Sequence, residues 1–238
     1  MIDRFDPEYL AHEYRLARER ITRLVTDSPP EISGMHVPTC PAWNVHDLVA
    51  HVAGIATEIV KGNSPGADSQ AWVDAITESR RGMSLAQLID EWSTHAPAFE
   101  EMAAATRRLS VPLSYDTVVH EHDLRHAIGA PGARDSSGVI AAMDVAVWLM
   151  TNDLNRRGFG RVAFRAGGRD WVCGDGDLRL ELDLDSANVG PHPIWELLRL
   201  TGSRRSIAQA RRLPWRGDFP DGLAALLHMD LPVDDIEE

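Results

Sequence analysis

The chain has 238 residues, 44% of them hydrophobic, and a formal net charge of -12; that length suits one large domain, or one of about 150 residues with a smaller companion. So acidic a balance argues against nucleic acid and anionic membrane as partners, since both need a positive field, and no run approaches 18 apolar residues, which removes a membrane span. Two distant cysteines, Cys40 and Cys173, give no disulfide framework, and the amphipathic start lacks a signal-type apolar core, so a cytoplasmic location is expected.

The first predicted helix runs from Pro7 to about Thr26, with Leu10, Tyr14, Ala17, Ile21, Leu24 and Val25 recurring at three to four residues until Asp27-Ser28-Pro29-Pro30 stops it. A loop leads to PAWNVHDLVAHVAGIATEIVKG, where Asn44 caps a second helix and Asp47, three residues on, completes an acidic capping box. Val45, Leu48, Val52, Ile55 and Ile59 form its buried stripe; His51 lies close to that stripe, and Gly54 permits another helix to approach closely. Trp72 and Ile76 suggest a short helix. Ser84 caps a longer one to about Thr106, which Pro97 bends or divides. YDTVVHEHDLRHAIG, Tyr115 to Gly129, is read as the fourth long helix, and a buried fifth runs from about Gly138 to Arg156.

After Arg157-Gly158 the period shortens to two residues. RVAFRAGG, RDWVCGDG and DLRLELDLD read as three strands joined by Gly-containing turns, with Asp175-Gly176-Asp177 as a hairpin turn rather than a calcium loop. Pro191–Thr201 and Pro220–Met229 are further helix candidates. A helical domain over residues 1–157 followed by a small α+β domain over 158–238 is therefore predicted, a mainly α chain.

The stretch from Tyr115 to Gly129 holds the densest chemistry. Residues four apart on a helix share a face, so Asp116 and His120 pair, with Val119, Asp123 and Ala127 on the same side. His122 lies about 200° from His120 and cannot share an ion with it on a regular helix. A carboxylate and an imidazole one turn apart bind a divalent metal when a facing helix adds a third ligand, leaving open positions for water or substrate. His51 is the best-placed third ligand. Spacing alone leaves the simpler reading open, a hydrogen-bonded Asp–His pair beside a core histidine.

Other chemistries find less support. HEHDL at His120 is not HExxH, because Leu124 occupies the second histidine position; CxxC pairs are absent, and Gly66, Gly129 and Gly132 build no phosphate loop. Cys40 precedes Pro41 with no obvious activating neighbour. Arg204, Arg205, Arg211, Arg212 and Arg216 form a basic cluster that can receive a carboxylate through the guanidinium fork, or pair with Glu181, Asp183 and Asp185.

PAWNVHDLVAHVAG resembles the W-(T/S)-V-x-D-(L/V)-x-x-H-(L/V)-x-G signature of the mycothiol-dependent maleylpyruvate isomerase family, within the DinB-like superfamily. DTVVHEHDLRHAIG is similar to its E-x-x-x-H-x-x-D-(L/I)-x-x-x-x-G segment, and TGSRRSIAQ to a G-R-R-S-like segment near its C-terminus. The resemblance implies a DinB-like four-helix bundle followed by a small α+β domain, and a divalent metal, usually zinc, held by His51, Asp116 and His120. It also implies mycothiol as a thiol cofactor. Asp116 departs from the pattern, standing where Glu is usual and shorter by one methylene.

A metal lowers a thiol's pKa and so supplies a nucleophile at neutral pH. In the family's isomerase that thiolate adds to a conjugated double bond, permits rotation and leaves; conjugation to an electrophile would make the same site a transferase. The leading expectation is an isomerase or S-transferase for a small electrophilic substrate that can carry a carboxylate. Arg204 and Arg205 are candidates to position that substrate or the cofactor, and Asp123 to orient His120 or hold the bundle together. The alternatives are a metal-dependent hydrolase of the superfamily and a non-catalytic helical binding protein. The expected partners are a small molecule and a low-molecular-weight thiol, on a monomer or homodimer.

Overall fold

The computed structural model describes residues 3–187, 189–217 and 231–238. The chain divides into two compact units, Met1–Gly132 and Ala133–Glu238. The first contains helices α1 (Pro7–Thr26), α2 (Val45–Val60), α3 (Ser69–Ser79), α4 (Leu85–Ala104) and α5 (Arg107–Ala127), with a short 3-10 turn at Pro30–Gly34. Helices α1, α2, α4 and α5 pack as a four-helix bundle, α1 against α4 and α5, and α2 against α4 and α5.

The helix starts follow their capping chemistry. Asn44 accepts from the Asp47 amide at 2.9 Å while Asp47 accepts from the Asn44 amide at 3.1 Å, and Ser84 and Gln87 form the same box at the head of α4. Pro97 does not divide α4, which continues to Ala104. Helix α5 begins at Arg107, earlier than the polar stretch suggested: Thr106 caps it, and Pro112 lies inside it, sacrificing a backbone donor near the start.

The bundle core contains Ile21, Leu48, Val52, Leu88, Trp92 and Phe99. The indole Nε1 of Trp92 donates to the Tyr14 hydroxyl at 2.8 Å, so this buried polar pair is satisfied internally. Gly54 faces α3 as expected. A Cβ there would stand 2.3 Å from Ile76 Cγ2 and 3.0 Å from Arg80 Cζ, and the Arg80 guanidinium beside it is buried against Glu58 and Glu91.

The second unit comprises α6 (Ser137–Arg157), β1 (Arg161–Ala166), β2 (Arg169–Cys173), β3 (Leu178–Asp183), α7 (Pro193–Thr201), α8 (Ile207–Arg212) and β4 (Trp215–Arg216). Helix α6 packs on α7 and β2. The division at Gly132/Ala133 therefore assigns α6 to the sheet-bearing unit, whereas the period change had set the boundary at residues 157/158.

The sheet order is β2-β1-β3-β4. Gly167 and Gly168, both with positive φ (58° and 70°), make the two-residue turn of the β1–β2 hairpin. Residues 174–177 are not a hairpin turn: β3 pairs in parallel with β1, so this link crosses the end of β1 from one neighbour to the other. Close approach explains its glycines, since a Cβ on Gly174 would lie 2.3 Å from the Gly160 carbonyl oxygen. Helix α8 and strand β4 carry too few residues for a periodic signal. The predicted helix Pro220–Met229 lies outside the described residues. No helix among those described is long and apolar enough to cross a membrane.

Candidate metal centre

Every residue from Thr117 to Leu124 is buried, so this part of α5 has no wet face despite its charges. Its polar groups are shared out in different directions. Glu121, fully enclosed, accepts from Arg20 of α1 and from Arg125 one turn along, each through Nε at 2.9 Å. Asp116, His120 and Asp123 meet α2 and the loop before it.

His51 Nε2 lies 3.3 Å from Asp116 Oδ2, and His120 Nε2 lies 3.5 Å from Asp116 Oδ1. The two imidazole centroids are 5.0 Å apart. His51 is buried, yet neither ring nitrogen makes a well-aligned hydrogen bond, an arrangement that normally costs about 1–3 kcal/mol per group. Asp116 retains 29% of its side-chain exposure, so the group opens on that side. Burial alone would raise the Asp116 pKa, but the neighbouring charges of His51 and His120 hold it well below the usual carboxylate range. Burial likewise disfavours charge on His120, while Asp116 first and its hydrogen bonds next push it well above the ordinary imidazole value.

Behind His120 stands Asp123, with Oδ2 3.0 Å from Nδ1 and no exposure to solvent. This contact fixes the ring and directs Nε2 toward Asp116, the support that metal-bound histidines commonly receive. Cys40 and Trp43 come from the preceding loop. Val37 N–H donates to Trp43 O, Cys40 N–H to Val37 O, Trp43 N–H to Cys40 O and Val45 N–H to Met35 O, closing the loop onto the start of α2. The Trp43 ring then lies 4.8 Å from His51 and 5.6 Å from His120. The Cys40 thiol approaches Asp123 Oδ2 at 3.7 Å. Asp123 and His120 are thus neighbours of Cys40 that its sequence surroundings did not disclose.

Among the described residues, two triads offer ligand atoms within 4.8 Å of one another: His51, Asp116 and His120, and Cys40, His120 and Asp123. The separations within the first fit a cation, because tetrahedral ligands about 2.0–2.3 Å from zinc lie about 3.3–3.8 Å apart. The chain therefore carries a candidate divalent-metal site in the bundle.

All these residues fall within residues 14–125, which match the family model described as the mycothiol maleylpyruvate isomerase N-terminal domain. Over these residues the chain is similar to that N-terminal domain. A crystal structure of a mutant of the mycothiol-dependent maleylpyruvate isomerase is similar over 93% of this chain and 98% of its own, with a TM-score of 0.64 and 14% identity. Another structure of that isomerase covers 86% of this chain and 92% of its own, with a TM-score of 0.61 and 15% identity. No curated protein is matched.

Outside residues 14–125, Arg204 and Arg205 of the basic cluster turn inward. Arg205 Nε and Nη2 donate to Glu196 at 2.7 Å, and its Nη1 donates to Glu238 at 2.6 Å. Arg199 also holds Glu238, and Arg212 pairs with Asp235. Arg204 is buried and donates to Gly202 O at 2.6 Å. The carboxylates that Arg199, Arg205 and Arg212 engage are Glu196, Asp235 and Glu238, while Arg216 on β4 stands opposite Glu181 in the β3–β4 ladder. Elsewhere His46 and His95 bind the backbone carbonyls of Met83 and Glu91, both at 2.8 Å.

Proposed function

We propose that this chain is a metal-dependent isomerase or S-transferase that employs a low-molecular-weight thiol, mycothiol by family likeness, on a small electrophile bearing a carboxylate. The single observation that carries the metal part is His51: an imidazole in the core with no well-aligned hydrogen bond at either nitrogen, facing a carboxylate and a second imidazole at ligand spacing. His51, Asp116 and His120 would hold the ion, zinc being suited to two nitrogens and one oxygen with an open fourth position. When bound, the metal supplies the Lewis acidity that makes a thiol nucleophilic at neutral pH.

The chain's own groups do the remaining work. Asp116 contributes the negative charge that two imidazoles lack. Asp123 accepts from His120 Nδ1 and so keeps Nε2 available. Trp43 covers both imidazoles with apolar surface and keeps water from that face, while the exposed side of Asp116 provides an entrance for thiol and substrate. Arg204 and Arg205 act in this proposal by fastening the second unit, because the Arg205 fork is already filled by Glu196 and Glu238.

The test is chelator-free purification, reconstitution with zinc, then titration with mycothiol. About one zinc per chain is expected, with loss of binding in His51→Ala and His120→Ala. Undiminished zinc in both variants would remove the ligand set; zinc binding without any mycothiol interaction would remove the thiol chemistry and favour hydrolysis.

A further inference from the structure

His120 has two ring edges, and the ligand set above engages one. Its Nδ1 edge meets Asp123 Oδ2 at 3.0 Å, and Cys40 Sγ lies 3.7 Å from the same oxygen. These three residues present nitrogen, oxygen and sulfur ligand atoms within 4.8 Å. The Cys40–Asp123 separation lies within the about 3.3–3.8 Å expected between tetrahedral zinc ligands, and the His120–Asp123 separation is a few tenths of an ångström short of it. The site is also built rather than accidental: Asp123 is fully buried, and backbone hydrogen bonds from Cys40 N–H to Val37 O and from Trp43 N–H to Cys40 O fix the loop that brings the thiol in.

We propose that Cys40, Asp123 and His120 Nδ1 form a second coordination position, selective for a thiophilic divalent cation. Sulfur distinguishes it from the His51 position, and a soft thiolate favours cations such as Cd2+ and Zn2+ over hard ones. Loading it forms three metal–ligand bonds and releases the Cys40 thiol proton and the His120 Nδ1 proton to solvent, so that the ring keeps one proton, at Nε2, facing Asp116 Oδ1. Nothing is oxidised or reduced. One neutral imidazole cannot serve both positions, so occupation of one excludes the other. The inference shares His120 with the proposed function, but Cys40 belongs to it alone.

Cd2+ is the probe, because its thiolate complex has an ultraviolet charge-transfer band. Unmutated chain and His51→Ala should both show the band, whereas Cys40→Ser should lose it and bind Cd2+ at least about tenfold more weakly. A chain without the band, or Cys40→Ser with an undiminished one, overturns the second position. Alkylation of Cys40 in the unmutated chain, followed by peptide mass, gives the answer without a variant: Cd2+ must slow it, and an unchanged rate overturns the proposal. Zinc held through His51 with no cadmium–thiolate band defeats only this inference; undiminished zinc in a His51→Ala, Cys40→Ser double variant, alongside the band in the unmutated chain, defeats only the earlier ligand set.

Discussion

His51 Nε2 stands 3.3 Å from Asp116 Oδ2, so α2 and α5 approach closely enough for the shorter acid to face the imidazole. The resemblance puts Glu at this position, and another methylene adds about 1.5 Å of reach to a pair already at ligand spacing. Asp116→Glu is therefore expected to weaken zinc binding by about tenfold, and Asp116→Ala by more. Competition against a chromogenic chelator measures both. Tighter binding by the Glu variant would show that the helices are spaced for the longer acid.

In the proposed ligand set, Asp123 acts on the metal through His120. Asp123→Asn keeps the volume and removes the charge, so zinc affinity should fall by about 10–100-fold while helix content stays unchanged. Calorimetry alongside far-ultraviolet circular dichroism separates this outcome from unfolding.

Gly54→Ala brings the gain of about 1 kcal/mol for replacing a helical glycine into conflict with Ile76 and Arg80 at 2.3 and 3.0 Å. Overpacking costs about 1–3 kcal/mol, and α3 must shift to relieve it. A net loss of stability is expected in urea unfolding, accompanied by faster amide exchange in α3. A stabilised variant would mean that α3 is loosely held.

Glu121 joins Arg20 of α1 to Arg125 within α5. Glu121→Gln should destabilise the bundle by about 1.5–3 kcal/mol, the range for hydrogen bonds to charged groups. Both arginines retain some exposure and can recover water, which keeps the loss below that of a wholly buried pair. Zinc affinity should not change, and equilibrium unfolding with a parallel zinc titration tests both parts.

Acid should loosen the second unit through Glu238. Burial works to raise its pKa, but Arg199 and Arg205 lower it below the ordinary glutamate value. The unfolded chain consequently binds a proton more readily, so the pair's full contribution exists above the unfolded carboxylate value and disappears as pH falls through the depressed folded one. Amide exchange in α7 should rise across that acidic window. Glu238→Gln should already be loosened at neutral pH and show a smaller acid-dependent rise.

The bundle was legible because helix periodicity and caps are local: Asn44 with Asp47, and Ser84 with Gln87, announce their helices within four residues. The meeting of His51 with Asp116 and His120 was also legible, from register on one helix and a polar intrusion near the apolar stripe of another. Cys40 was not, because its partners lie 80 and 83 positions away and reach it through loop hydrogen bonds that carry no periodic pattern. The parallel pairing of β1 with β3 escaped for a related reason: Gly174 and Gly176 signal a sharp path, which serves a crossing as well as a hairpin. Nor does the local pattern mark Arg20, 101 positions from Glu121, as the partner that meets it in the bundle.

The loop from Met35 to Val45 is pinned to the head of α2 by its own backbone, independently of which side chains it bears. Cys40 and Trp43 are therefore carried on a loop held by its own backbone, while the helices carry His51, Asp116 and His120. Descendants of this fold, or an engineer working on it, can alter what covers the candidate metal site and what softness of ligand stands behind it through a few loop substitutions.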